Sequence, residues 1–182
     1  GGYIGDSAIV LSKYTQGNVY SFEAITTNFN DILTTSRLNK ISNIIPVNMG
    51  LSDTDKEEVF YLSSLYETSN SIKSDGMHIT NDAEKCIARC TSIDKYVNDN
   101  HLNIGLIKTD VEGAEKMLLK GAKNTIIEQK PLLLISIYHS IGDFFEIKTW
   151  IEELELGYRF KIYRPILQYS FMQETVLLAE PF

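Results

Sequence analysis

Apolar residues along the chain fall into two patterns, short continuous runs and wider helical spacings, and the two alternate. Val19-Tyr20-Ser21-Phe22 is a short run that ends at Glu23. Ile44-Ile45-Pro46-Val47-Asn48 is another, in which Pro46 cannot donate to a ladder. Between them Phe29, Ile32 and Leu33 share one helical face, with Thr26 or Thr27 as the expected cap. Ahead of both, Gly1 to Gly5 runs into Asp6-Ser7 and then Ala8, Leu11 and Tyr14. That is a loop opening a helix, capped by Asp6 or Ser7 and ended by Gly17-Asn18. Glu58 to Leu62 and Cys86 to Ser92 read as strands on either side of the polar stretch Ser63 to Lys85. So long a polar connection in a small domain predicts a lid or substrate-contacting segment, with plain disorder as the alternative.

The second half is clearer. Ile104 to Thr109 reads as a strand meeting Asp110, followed by a helix carrying Ala114, Met117, Leu118 and Gly121. Leu132 to Tyr138 is nearly all apolar, as a strand covered on both faces should be. Asp143 and Glu146 form a capping-box pattern before Ile147, Trp150, Ile151 and Leu154, and Gly157 ends that helix. Tyr158 to Tyr163 and Thr175 to Ala179 supply two last strands. The alternation predicts an α/β fold, a doubly wound and mostly parallel sheet with an antiparallel C-terminal strand and helices on both faces.

Composition narrows the picture. The 182 residues, 43% of them hydrophobic, make one sizeable core and no convincing linker, so residues 1–182 read as a single domain. Asp and Glu number 24 against 17 Lys and Arg, for a net charge of -7. Such a balance argues against nucleic acid or an anionic membrane as partner. Two cysteines, Cys86 and Cys90, make no disulfide framework, and without a nearby His they read as small buried hydrophobes, with no metal site expected. Pro131 to Ile135 is far too short to span a bilayer, and no signal peptide is visible, so a cytoplasmic protein is expected.

In an open α/β sheet, ligands bind beyond the carboxyl ends of the strands. The candidates there are the Gly1 to Gly5 loop, Glu23, the Ser52-Asp53 turn, Asp110 and His139. Glycines let backbone N–H groups approach a ligand closely, and an acid ending the next strand suits the ribose hydroxyls of an adenosine cofactor. A nicotinamide dinucleotide calls for a longer glycine turn around its pyrophosphate, and Asp6 would repel phosphate. An acid there suits a cofactor bearing a sulfonium and no phosphate, such as S-adenosylmethionine. Around Asp110, the acids Glu112 and Glu115 fit ordinary helix-dipole chemistry, whereas Asp110 faces the crevice.

Ile107-Lys108-Thr109-Asp110-Val111-Glu112-Gly113-Ala114-Glu115, with Leu119-Lys120-Gly121-Ala122 after it, closely resembles the FkbM family of S-adenosylmethionine-dependent methyltransferases. Gly1-Gly2-Tyr3-Ile4-Gly5-Asp6-Ser7 is similar to that family's cofactor loop, and Val19 to Ala24 to its acidic second motif. Ser92-Ile93-Asp94 and Ile137-Tyr138-His139 fit as well. The resemblance implies a Rossmann-like fold that binds S-adenosylmethionine through Gly1, Gly2, Tyr3, Ile4, Gly5, Asp6, Glu23, Ala24, Ser52, Asp53 and Asp110. It also implies O-methylation of a sugar, glycan or small natural-product hydroxyl. Family members carry an Asp two residues before the first glycine, at the end of a first strand. Neither is found here, so the chain is expected to be a fragment of a longer protein whose domain lacks its first strand.

Methyl transfer to a hydroxyl benefits from a positioned base. His139, directly after a core strand and with an ordinary pKa near neutrality, is the first candidate. Asp110 is expected to hold the cofactor's amino end or a substrate hydroxyl, and Lys108 to orient Asp110 or to reach solvent. His78 and His101 lie in polar segments and read as solvated. Two other classes compete: an NAD(P)-dependent oxidoreductase, and a non-catalytic binding domain that kept the fold. No feature selects an oligomeric state.

Overall fold

The structure, a computed structural model, describes residues 1–62, 84–164 and 174–182. Its first part follows the predicted alternation: α1 (Asp6–Ser12), β1 (Val19–Phe22), α2 (Thr26–Leu38) and β2 (Ile44–Val47). β1 and β2 pair in parallel, and β2 has no second partner among the described residues. Pro46, which has no N–H to donate, is tolerated at such an edge. Ala8, Ile32 and Ile44 close a small core between these helices and strands. The helix ends differ from expectation. Gly5 caps α1 in a left-handed conformation (φ 89°) that a side chain at Asp6 or Ser7 could not replace, and α1 stops at Ser12, short of Gly17. α2 has no side-chain cap, because Thr26 is already its first residue and its hydroxyl bonds Asn48. Leu33 is exposed, so the buried stripe of α2 runs instead through Ile32 and Ser36.

β3 (Gly50–Leu51) and β4 (Lys56–Leu62) flank β5 (Glu84–Thr91), the former parallel to it and the latter antiparallel. Cys86 and Cys90 lie on one face of β5 as free thiols. The expected lid, apart from Glu84 and Lys85 at the start of β5, lies outside the described residues, as does His78.

The C-terminal part holds α3 (Ile93–Asp99), β6 (Leu106–Thr109), α4 (Glu115–Lys120), α5 (Lys123–Gln129), β7 (Leu132–Ser136), α6 (Ile141–Glu152), β8 (Arg159–Tyr163) and β9 (Val176–Glu180). Its sheet runs β6-β7-β9-β8. β6 and β7 are parallel, and β9 is antiparallel to both neighbours. The expected antiparallel C-terminal strand therefore lies inside the sheet, between β7 and β8. Leu133, Ile135 and Leu177 are fully buried there, packed with Leu118, Ile126, Ile147 and Ile151 from the helices. The capping box of α6 sits three residues earlier than the spacing predicts. The Ser140 hydroxyl accepts from the Asp143 N–H at 3.0 Å and donates to the Asp143 carboxylate at 2.7 Å. Among the described residues, no helix is long and apolar enough to cross a membrane.

Candidate active site

β1 and β6 each pair along one edge only among the described residues, with β2 and β7 respectively. Both line a single cleft of about 1290 Å³. That exceeds the roughly 300–1,000 Å³ of ordinary ligand pockets. Gly1, Gly2, Tyr3, Asp6, Glu23, Ala24, Asp110 and His139 all line it, so most of the predicted candidates converge.

Glu23 is the anchor of one wall. Its carboxylate is buried and accepts two backbone N–H groups, that of Tyr3 at 2.8 Å and that of Ile25 at 2.9 Å. The glycine loop is thereby tied to the end of β1. Gly2 has no room for a side chain: a Cβ there would lie 2.7 Å from the Ser21 hydroxyl and 2.9 Å from the Phe22 carbonyl. Ile4 and Gly5 shape the turn behind the lining residues, where the Gly5 N–H closes onto the Gly2 carbonyl. Ser52 and Asp53 do not reach the cleft. Ser52 is fully buried with its hydroxyl on the Met117 sulfur and on Asp53, and Asp53 pairs with Lys56 at 3.1 Å. The turn after β3 is packed against α4.

The other wall carries the chemistry. Asp110, just after β6, meets Lys108 at 3.4 Å and accepts the Tyr138 hydroxyl at 3.2 Å. Burial alone would raise its pKa. Lys108 first, then the Gly1 amino group and His139, outweigh burial and hold the carboxyl below its ordinary range. His139 follows β7, with its side chain 7% exposed. Its Nε2 lies 3.6 Å from Asp110 and 3.7 Å from Glu112, and its Nδ1 lies 2.9 Å from Oε1 of Glu115. The last contact is close but poorly angled, and neither ring nitrogen has a well-formed hydrogen bond; charge pairing is what holds the ring.

Burial would lower the imidazole pKa, but the contacts and charges of Glu112 and Glu115 overcome this and raise it to about 10. The free imidazole is thus held in its charged form more strongly than its place in the sequence suggests. Glu115 departs from its expected role too. It opens α4, but it is fully buried, and Oε1 accepts the Val111 N–H at 2.8 Å. Nothing in its spacing distinguishes it from a surface acid at a helix start; only the approach of the β7 end over α4 does. His101 is exposed, at the far end of the cleft.

The residues present fit S-adenosylmethionine better than a dinucleotide. The loop has an acid, Asp6, in the first turn of α1, and the far wall is rich in carboxylates suited to a cationic group. Asp110, Glu115 and His139 also offer donor atoms within 4.8 Å of one another, close enough to share a cation.

A glycine loop tied to an acid at one strand end, facing an acid and a histidine at two others across an α/β sheet, defines a Rossmann-like domain of the methyltransferase kind. Residues 1–160 match the model of the Methyltransferase FkbM domain, and the chain belongs to that family. Its fold is similar to that of the crystal structure of Methyltransferase FkbM from Methylobacillus flagellatus KT, with a TM-score of 0.72 and 22% identity. That likeness covers 98% of this chain and 41% of the other, so the chain spans less than half of that protein's length. An rRNA methylase from Streptococcus thermophilus is similar at a TM-score of 0.52 and 11% identity, over all of this chain and 83% of that one. Among curated proteins no match was found.

Proposed function

We propose that this chain forms the cofactor-binding domain of an S-adenosylmethionine-dependent O-methyltransferase acting on a hydroxyl of a sugar, glycan or small natural product. The observation that carries the reading is the opposition, across one cleft, of the Glu23-tied glycine loop and the Asp110–His139 pair. Bound S-adenosylmethionine supplies a methyl group on a sulfonium. Glu23 and the loop of Gly1, Gly2 and Tyr3 take the ribose end, and the acidic wall favours the positive end. The acceptor hydroxyl enters beside Asp110 and His139. The hydroxyl oxygen would take that methyl group, with the bonding pair left on the cofactor's sulfur. Asp110 accepts a hydrogen bond from the hydroxyl and fixes its line of attack, the positioning on which such displacements chiefly depend. His139 is the group proposed to take the departing proton, from the state in which its imidazole is neutral.

The net charge of -7 supports a small or neutral acceptor over nucleic acid. The edges of β1 and β6 that have no partner among the described residues, on strands parallel to their neighbours and lining the cleft, support a further proposal. One more strand lies between them in the complete domain and joins the two sheets into one, leaving the cofactor the carboxyl end of the cleft.

Transfer of a labelled methyl group to a panel of glycosides and polyols by the full-length protein tests this reading. His139→Ala is expected to reduce turnover by about 10²-fold or more, in keeping with loss of a proton-transfer group. Its affinity for S-adenosylhomocysteine should stay nearly unchanged. Undiminished turnover would remove His139 from the reaction.

A further inference from the structure

We propose that His139 and Asp110, flanked by Glu112, bind a divalent metal cation such as Mn²⁺ or Zn²⁺ at the acidic wall of the cleft. The imidazole is more than nine-tenths buried, and its Nε2 has no hydrogen-bond partner. That nitrogen faces Oδ1 of Asp110 at 3.6 Å and Oε2 of Glu112 at 3.7 Å. Both gaps are too long for hydrogen bonds. They are within a few tenths of an ångström of the roughly 3.0–3.5 Å separating two donors that each sit ~2.1 Å from one cation. One imidazole with two carboxylates suits a metal of intermediate hardness.

The other side of the ring supports the same assignment. Metal-binding histidines commonly present their second nitrogen to a carboxylate, which fixes the ring and its tautomer. Here Nδ1 lies 2.9 Å from Oε1 of Glu115, a charge contact and not a well-angled hydrogen bond, which holds the ring beside a carboxylate. Glu115 is itself fully buried and held by the Val111 N–H, and its Oε2 is buried without a partner. Asp110, Glu112 and His139 also line the cleft, so a cation they hold remains open to ligands entering from it. Binding of the metal is independent of the reaction proposed above. Its use rests on the cofactor part of that reading: with Nε2 on the metal the cation takes over from His139, acidifying an acceptor hydroxyl whose proton leaves to solvent.

The test is titration of the chelator-treated full-length protein with MnCl₂, followed by the electron paramagnetic resonance signal of free Mn²⁺, with ZnCl₂ as competitor. One Mn²⁺ per chain is expected. Asp110→Asn and His139→Ala should weaken binding at least tenfold, and Glu115→Gln by about tenfold through the lost support of the ring. Glu23→Gln should leave it unchanged. Thermal melts establish that each variant is folded, and Asp110→Asn and Glu115→Gln decide the matter if His139→Ala is not. Absence of stoichiometric binding, or binding unaltered in Asp110→Asn and Glu115→Gln, would overturn the proposal. S-adenosylhomocysteine is titrated into the same samples. Cofactor binding without Mn²⁺ binding overturns the metal site alone, and the reverse overturns the cofactor reading alone.

Discussion

Single residues at strand ends were the legible part of the site. Glu23, Asp110 and His139 each follow an apolar run, and a strand that ends on a polar residue delivers that residue to the crevice. Glu115 was hidden because its environment is tertiary: residues 24 positions later in the chain close over it. Ser52 and Asp53 follow the same strand-end rule and miss the cleft, since their turn is pulled onto Met117 and Lys56. The cysteines behave as hydrophobes. The Cys90 thiol is pushed up to about 11, by burial first and then by the charge of Glu58, so it stays protonated at pH 8. Iodoacetamide at pH 8 should therefore modify Cys90 in the native protein roughly tenfold or more slowly than in urea, as mapped by peptide mass spectrometry. Equal rates would show that the thiol is neither buried nor raised.

Elements were legible where apolar spacing is strong, as in β1, β7 and α6, and not where a helix is held by a distant residue. α5 has no capping side chain of its own; its cap comes from α3. Asp94 accepts the Asn124 N–H at 3.0 Å and the Thr125 N–H and hydroxyl at 2.7 Å each. No local pattern reveals a cap 30 residues away. Asp94→Ala should lower stability by about 1–2 kcal/mol, the scale of a lost N-cap. A urea midpoint equal to that of the parent would deny the capping role.

Gly121, just after α4, makes a second such link. A Cβ there would stand 2.1 Å from the Ser52 carbonyl oxygen and 3.0 Å from the Asp53 Cα, both backbone. Gly121→Ala is expected to cost about 1–3 kcal/mol or more through overpacking, read by the same denaturation curves. A stabilised variant, as a helical Gly→Ala change alone would give, would contradict the contact.

At the scale of the whole molecule, the alternation of runs and helical spacings was enough for the α/β class, because β7 and β9 are apolar on both faces and demand helices around them. Strand order was not legible: the insertion of β9 between β7 and β8 depends on where the returning chain finds an unpaired edge. The cleft between β1 and β6 was anticipated through the strand-end rule, which gathers the glycine loop, Glu23, Asp110 and His139 at one side. The edges of β1 and β6 face that cleft, and the loop, the acids and the histidine line it. The functional account depends on this shared end being a site for an adenosine cofactor without phosphate.

Calorimetric titration of the full-length protein with S-adenosylhomocysteine, NAD and NADP, repeated with Glu23→Ala, bears on that claim most directly. The account predicts one S-adenosylhomocysteine per chain, no heat from either dinucleotide, and affinity roughly 10–100-fold weaker in the folded Glu23→Ala variant, the worth of hydrogen bonds to a charged group. Binding of NAD or NADP in place of S-adenosylhomocysteine, or equal S-adenosylhomocysteine affinity with and without the Glu23 carboxylate, would contradict it.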